Sequence, residues 1–317
     1  MNWKQPKVYA VQHKDEEIRA KSRSGGIFTA LSDEVLEHRG VVYGCVLNED
    51  FKAVHVRAED KKDRDQMRSS KYIQSKMGDV FKNIKMDLES GREVLFSGTS
   101  CQVAGLKGFL GRDYKNLLCV DIVCHGVPSP KVWEQYLTWQ EKKNGLKVQS
   151  VDFRNKKDYG WRDHKETLYF ENGQKTSSTV FTTLFYGHSI LRPSCYECPF
   201  KNVMHPGDIT IADYWGIEKA APEFNDNKGV SLVLINNEKG ARAFETVKEQ
   251  LRWKATRLED SMQPPLKAPF PEPENRKQFW SDFGSRNFDY ISQKYGGAGI
   301  GNKVRRGLRK IKRKLVR

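Results

Sequence analysis

Two cysteines that lie three positions apart, Cys195 and Cys198, form the motif with the clearest chemistry in this sequence. They sit in a segment rich in turn-forming residues, RPSCYECP. Two thiolates at this spacing in a turn can hold one metal ion or cluster, or form a redox-active disulfide. A zinc ribbon would supply two further thiolates as a second Cys-x-x-Cys pair, and the sequence has none. Any site with four thiolate ligands must therefore draw on isolated cysteines.

The remaining ligands are predicted from the positions of the other four cysteines. Cys45 and Cys119 lie inside apolar, strand-like runs, where a cysteine is most often a small core residue. Cys101 lies in a loop that follows a glycine, and Cys124 lies just beyond a strand end, where the backbone can turn a thiol inward. The predicted metal ligands are Cys101, Cys124, Cys195 and Cys198. Four thiolates suit both zinc and a 4Fe-4S cluster, so the type of ligand leaves these two alternatives open.

The elements that carry Cys101 and Cys124 are predicted to form a parallel crossover. In chain order they are a strand (93–97), a tight loop (98–102), a short helix (103–110) and a second strand (117–123). A strand, helix and strand in this order favour a right-handed connection between parallel neighbours. Both cysteine loops then lie at the carboxyl ends of adjacent strands, where open α/β sheets place their ligand sites.

The rest of the sequence predicts an α/β (mixed α+β) fold with a parallel-type core, an antiparallel β-rich section and peripheral helices. Further strands are predicted at 7–12, 41–47, 53–57, 208–215 and 230–236, with short alternating strands between 148 and 180. Helices are predicted at 24–40, 77–90, 129–143, 181–189 and 239–251, with two short helices after the Pro-rich connector. Four portions are expected: residues 1–145 with the first cysteine loops, 146–262 with Cys-x-x-Cys, a connector with short helices (263–302) and a basic tail (303–317).

The composition points to a folded, cytoplasmic protein. The 317 residues are 38% hydrophobic and include 16 Phe, 12 Tyr and 7 Trp, enough bulky material for a core. No apolar run approaches the length of about 20 residues that spans a bilayer. The polar start of the sequence lacks the apolar region of a secretion signal. Six widely spaced cysteines do not make a disulfide scaffold, so metal binding or redox chemistry is their expected use.

The net charge of +15 is concentrated in the last fifteen residues, which hold nine Lys and Arg and no acid. Val304, Leu308, Ile311 and Leu315 recur at helical spacing among these bases. This pattern is typical of a helix that lies on an anionic membrane surface, so the tail is predicted to attach the protein to the inner face of the membrane. A solvated tail is the alternative. No nucleic-acid partner is predicted, because the body shows no binding motif for one.

Five motifs, in order, make the sequence resemble the coenzyme F420 hydrogenase/dehydrogenase beta-subunit family. They are KSRSGGIF (21–28), SKYIQS (70–75), VLFSGTSCQVAGL (94–106), DIVCHGVPS (121–129), and SCYECPFK (194–201) with DITIADYWGI (208–217). The resemblance spans roughly residues 8 to 290. It implies an FAD beside a 4Fe-4S cluster, and thus favours the cluster over zinc at the four cysteines.

The prediction that the protein binds a flavin also has a physical rationale. The Ser-Gly-Gly turn opens a helix whose first N–H groups can hold a pyrophosphate, although such a turn is more often only a helix cap. A lysine in SKYIQS can neutralise a phosphate, and an aromatic ring can pack on the flavin or simply belong to the core. The predicted cofactor-binding residues are Ser24, Gly25, Gly26, Lys71, Tyr72, Gln102 and Trp215. His125 and Asp213 are predicted to act near the flavin, His125 as a donor of a hydrogen bond or proton.

The resemblance also bears on partners. Many family members begin with a ferredoxin-like cysteine-rich module, whereas the first cysteine here is Cys45. Electrons are therefore expected from a separate ferredoxin-like donor. Because family members also serve cell-surface polysaccharide machinery, a sugar or glycan substrate is the expectation. The alternative function is a zinc-stapled scaffold or binding protein at the membrane surface, without redox turnover.

Overall fold

The computed structural model describes residues 5–299, and the predicted basic tail lies outside them. The strands are β1 (Lys7–His13), β2 (Val41–Leu47), β3 (Ala53–Ala58), β4 (Val94–Thr99), β5 (Leu117–Ile122), β6 (Val148–Asp152), β7 (Glu166–Phe170), β8 (Lys175–Ser178), β9 (Ile209–Asp213), β10 (Ser231–Ile235) and β11 (Leu251–Thr256). The helices are α1 (Glu16–Lys21), α2 (Ile27–Glu37), α3 (Lys61–Asp65), α4 (Val80–Glu89), α5 (Ser100–Leu110), α6 (Pro130–Asn144), α7 (Lys156–Tyr159), α8 (Val180–Tyr186), α9 (Ile217–Ala220), α10 (Glu238–Val247), α11 (Leu258–Ser261), α12 (Arg276–Ser285) and α13 (Phe288–Lys294). Within residues 5–299, no helix is long and apolar enough to cross a membrane.

The chain divides into two compact units, and it passes between them more than once. Among the described residues, the first unit holds 5–125, Lys156–Arg162 and Glu197–Pro269. The second unit holds Gly126–Asn155, Asp163–Tyr196 and 270–299. The units therefore do not coincide with consecutive stretches of sequence.

The first unit is built on an eight-stranded sheet in the order β11-β1-β10-β9-β5-β4-β2-β3. The central pairs β2–β4, β4–β5 and β5–β9 are parallel, and the pairs toward both edges are antiparallel. Strands buried on both faces read as continuous apolar runs, and β10 is buried at all five positions. The mixed fold with a parallel core is thus confirmed.

Helices cover both faces of this sheet. On one face, Leu31 of α2 and Phe244 of α10 share an apolar core with Leu95 of the sheet. On the other face, Ile84 of α4 and Leu106 of α5 share a second core with the sheet. Both faces of the parallel strands are therefore shielded from water, as parallel sheets require.

The parallel crossover β4-α5-β5 is confirmed, but the predicted loop over 98–102 is wrong at its end. Helix α5 begins at Ser100, so Cys101 and Gln102 lie in its first turn. Thr99 precedes the helix, and its backbone N–H donates to the Gln102 side chain over 2.9 Å. This hydrogen bond satisfies the backbone N–H of Thr99, which would otherwise need a water molecule as its partner. The cap therefore lets the helix begin close to the end of β4.

The second unit contains the antiparallel sheet β6-β7-β8, which the alternating segments between 148 and 180 predict. Its core is aromatic: the ring of Trp133 on α6 lies 4.7 Å from Phe153 and 4.9 Å from Phe181, between centroids. Helix α6 begins at Pro130 after the N-cap Ser129, as predicted.

Several element bounds differ from the predictions. The helix expected over 239–251 ends at Val247, and β11 follows it as an edge strand that pairs with β1. Four of the six β11 residues are exposed, so the strand carries no apolar alternation in its sequence. The helix expected from Ser24 begins at Ile27, because Gly26 is in the left-handed conformation with φ 97° and ends the turn that precedes it.

A buried carboxyl group in the second unit predicts a pH dependence of stability. Glu166 accepts hydrogen bonds from the Thr182 hydroxyl (2.6 Å), the Phe181 backbone N–H (3.0 Å) and the Tyr136 hydroxyl (3.2 Å). Burial raises the pKa of Glu166 from 4.5 to about 7. The folded state therefore keeps a proton that the unfolded chain releases, and the contribution of Glu166 to the free energy of unfolding falls as pH rises through this window.

We expect Glu166→Gln to remove this pH dependence. The free energy of unfolding of the variant, relative to the wild type, should rise by on the order of 3 kcal/mol from below to above the window, because one pKa unit corresponds to about 1.4 kcal/mol. Urea unfolding at a series of pH values measures the difference. Parallel curves for the two proteins would contradict the assignment.

Candidate functional site

The carboxyl ends of β4 and β5 bring Cys101 and Cys124 to one edge of the sheet. The two strands are parallel, and the last register pair is Thr99 with Ile122. Each cysteine lies two residues beyond its member of that pair. Cys101 is exposed, with its Sγ 3.1 Å from Thr99 Oγ1, and Cys124 is half-buried. The fold therefore confirms that Cys101 and Cys124 follow the carboxyl ends of adjacent parallel strands, with Cys101 in the first turn of α5 and not in a loop.

Cys198 lies in the same unit, on a loop that is attached beside Cys124. The backbone N–H of Lys201 donates to the Cys198 carbonyl over 3.4 Å. The ammonium of Lys201 donates to the carbonyl of His125, the neighbour of Cys124, over 2.6 Å. Lys201 is only 5% exposed. A buried cation thus joins the Cys198 loop to the Cys124 loop.

Cys195 belongs to the second unit, where it ends a short 3-10 turn, Pro193–Cys195. Its backbone N–H donates to the Arg192 carbonyl over 2.9 Å. The thiol is half-buried and forms no disulfide.

The sequence interpretation missed His205, which connects the three cysteine loops of the first unit. Its Nδ1 lies 3.0 Å from Asp121 Oδ2 and 3.1 Å from the hydroxyl of Ser100, the neighbour of Cys101. Thr210 donates to the other oxygen of Asp121 over 2.6 Å. The side chains of His205 and Asp121 are 2% and 0% exposed. In the sequence, His205 is a single histidine seven residues after Cys198, and this spacing is the one feature that could have pointed to it.

None of the six cysteines forms a disulfide, so the four predicted ligands are thiols. Thiolate donors fit zinc or a 4Fe-4S cluster. The loops of three of them are joined through His205 and Lys201, which is consistent with a shared site. Across residues 5–299, however, no three His, Cys, Asp or Glu side chains are already grouped to hold a metal ion. The ligand set stays a prediction.

The Ser-Gly-Gly turn before α2 packs tightly on the sheet. The Ser24 hydroxyl donates to the Val230 carbonyl over 2.6 Å, and the Gly25 N–H donates to the Ser231 hydroxyl over 2.9 Å. A Cβ at position 25 would lie 2.0 Å from the carbonyl oxygen of Val11. Glycine is therefore required here by close backbone packing. No side chain caps α2 at Gly26, and an uncapped helix N-terminus is a kind of site that can bind an anion.

Lys71 and Gln102 are both committed to protein contacts. The Lys71 ammonium donates to the carbonyls of Gln66 and Arg68, each over 2.7 Å, and burial lowers its pKa to about 8. The Gln102 amide donates to the Ser75 hydroxyl over 2.8 Å. This hydrogen bond brings the SKYIQS motif, with half-buried Tyr72, against the start of α5.

Asp213 and Trp215 lie in a partly buried cluster at the end of β9. Asp213 accepts from the Trp161 indole N–H over 2.8 Å, and its other oxygen is 3.6 Å from the Nε of Arg23. Trp215 stacks on Trp161, with ring centroids 4.9 Å apart and an angle of 14°. The sequence interpretation missed Arg23 and Trp161, because neither belongs to the segment that carries Asp213.

A cavity of about 270 Å³ opens beside β3 in the first unit, and the sequence analysis did not predict it. Its lining includes His55, Arg57, Met77 and Asn83. Burial lowers the pKa of His55 to about 4, so its ring is neutral near pH 7, with Nε2 3.1 Å from the Ser97 carbonyl oxygen. His55 thus links the wall of the cavity to Ser97 of β4, the strand that precedes Cys101.

Comparisons with known proteins place these features in a family. The model described as Coenzyme F420 hydrogenase/dehydrogenase, beta subunit N-term, matches residues 8–82, and the model of the corresponding C terminus matches residues 91–261. A chain from the xenon-derivatised F420-reducing [NiFe] hydrogenase complex of Methanosarcina barkeri is similar in fold, with a TM-score of 0.54 and 18% sequence identity. The similarity covers 79% of this chain and 82% of that one. No curated protein matches the sequence.

The buried tie through Lys201 yields a testable prediction. Lys201→Met keeps the length of the side chain but removes the donor to the His125 carbonyl, so we expect the free energy of unfolding to fall by about 1–3 kcal/mol. Lys82→Met is the matched control, because the Lys82 side chain is 70% exposed, and its effect should stay within about 0.5 kcal/mol. Urea unfolding measures both variants. Equal effects would show that the Lys201 contact does not hold the loops.

Proposed function

Because this chain belongs to the coenzyme F420 hydrogenase/dehydrogenase beta-subunit family, we propose that it is an FAD- and 4Fe-4S-dependent oxidoreductase. The family is one of oxidoreductase subunits, and the chain shares its fold with a subunit of a hydrogenase complex. The observation that carries the proposal is the joining of three cysteine loops at the carboxyl edge of the parallel strands. When bound, the cluster supplies exchange of single electrons and the flavin supplies exchange of electron pairs.

The protein's part at the metal group is to supply and hold thiolates. The proposed ligands are Cys101, Cys124, Cys195 and Cys198. Cys101 is fixed by the first turn of α5, and Cys124 by the end of β5. The Cys198 carbonyl accepts from the Lys201 backbone N–H, and the Lys201 ammonium donates to the carbonyl of His125, the neighbour of Cys124. A buried charge is stable only near a compensating one, so we propose that this ammonium compensates the charge of the thiolates.

The proposed flavin contacts come from two motifs. The N-terminus of α2 at Gly26 offers backbone N–H groups to a pyrophosphate, while Ser24 and Gly25 shape that turn by packing on the sheet. Lys71, Tyr72 and Gln102 are proposed as further contacts, since the Gln102 amide links their segments. Trp215 is proposed to present the outer part of its stacked indole pair.

His125 and Asp213 receive different roles. His125 lies between Cys124 and Gly126 at the strand end, and we assign its ring the donation of a hydrogen bond or proton near the flavin. Asp213 accepts from Trp161 and lies beside Arg23, both nearly buried, so it orients these side chains.

The partner assignments follow from the resemblance. The donor is proposed to be a separate ferredoxin-like protein, and the substrate a small molecule or glycan intermediate of cell-surface polysaccharide biosynthesis. Attachment to the inner face of an anionic membrane is proposed for residues 303–317, where nine bases are concentrated.

Cysteine variants test the proposed function. We expect anaerobically purified wild-type protein to hold about four irons per chain. Cys198→Ser should lose most of its iron and acid-labile sulfide, because one thiolate of the ligand set is gone. Cys45→Ser is the matched control: Cys45 is also free and half-buried but lies within β2, and this variant should keep its iron.

Two results would contradict the proposal. Iron that is unchanged in Cys198→Ser would remove that cysteine from the ligand set. Stoichiometric zinc without flavin in the wild type would favour the alternative, a zinc-stapled scaffold without redox turnover.

A further inference from the structure

His205 has a hydrogen-bonding pattern that leaves one ring nitrogen unused. Asp121 is fully buried and its two oxygens face Thr210 and His205 Nδ1. A carboxylate accepts hydrogen bonds, so the His205 Nδ1 carries the proton and donates to Asp121. This tautomer is assigned from the network of partners.

The other ring nitrogen, Nε2, is buried and has no hydrogen-bond partner among residues 5–299. A buried polar atom without a partner is costly, so such atoms in native proteins call for an explanation. The surrounding protein shields Nε2 from bulk water, so water does not satisfy it in the folded chain. The atom is therefore suited to a group that the folded chain binds.

The location of His205 indicates which group this is. It contacts Ser100, next to Cys101, and Asp121, three residues before Cys124, and it follows Cys198 on the same loop. Histidines that ligate a metal characteristically donate the N–H of their other ring nitrogen to a carboxylate, a backbone carbonyl or water. His205 donates its Nδ1–H to the carboxylate of Asp121 in the same way, and both residues lie close in sequence to three proposed thiolate ligands.

We propose that His205 is a positioning residue for the metal group of the proposed function, on which this inference rests. Its Nδ1 contacts Ser100 and Asp121 and so joins the segments that carry Cys101, Cys124 and Cys198. Its Nε2 is the atom that contacts the bound group. Both parts use one side chain held in a single orientation by Asp121.

Two substitutions separate the two parts. His205→Asn places an amide near the position of Nδ1, so the contact with Asp121 is kept while the Nε2 contact is lost. His205→Ala removes both contacts. His38→Asn is the matched control, because the His38 side chain is 61% exposed at the end of α2. Melting temperatures confirm that each variant is folded, and if His205→Ala is not, His205→Asn carries the test.

The readouts are the rate of iron release to a chelator and the midpoint potential from an EPR-monitored titration of the full chain. We expect release to be about 10-fold faster in His205→Ala, in the range typical for loss of a residue that supports metal ligands. His205→Asn should restore slow release but show a shifted potential. His38→Asn should match the wild type in both readouts.

If both His205 variants release iron at the wild-type rate and have the wild-type midpoint potential, the inference is overturned and the proposed function is left intact. A restored release rate with an unshifted potential in His205→Asn would overturn the role of Nε2. Wild-type protein that takes up no iron would contradict the proposed function itself, and the inference would fall with it.

Discussion

The structure depends most on the buried carboxylate of Asp121 near the end of β5. A fully buried charge is tolerated only when its oxygens are paired, and here Thr210 of β9 and His205 supply the partners. The same carboxylate fixes the backbone around it, since a Cβ at Gly207 would lie 2.7 Å from Asp121 Oδ1. One side chain thus links β5, β9 and the loop that carries Cys198.

The main elements could be predicted because their signals are local. Continuous apolar runs mark β4 and β5, and alternation marks the antiparallel sheet of the second unit. Strand β11 was missed because an exposed edge strand has no apolar pattern. The start of α5 was missed because Gly98 suggested a loop, whereas the Thr99 cap extends the helix. The contact of His205 with Asp121 spans 84 positions and has no local signature.

Several residues that are predicted to bind the cofactor also make contacts that stabilise the fold. The sequence could not reveal these contacts. Gly25 is required because the backbone of Val11 leaves no room for a Cβ. The Lys71 ammonium is held by two carbonyls, and the indole of Trp161 covers one face of Trp215. Such contacts fix these side chains before any ligand binds, which lowers the conformational entropy that binding would cost. The structural contacts of these residues are explained by the fold. Their proposed roles in cofactor binding depend on whether the protein binds a flavin and a cluster.

The most direct test of the central claim is the composition of anaerobically purified protein, measured as iron, sulfide, zinc and flavin together with the absorbance spectrum. Our account predicts about four irons and one FAD per chain, with a broad cluster band and flavin peaks in the spectrum. A colourless protein that holds one zinc per chain and no flavin would contradict it.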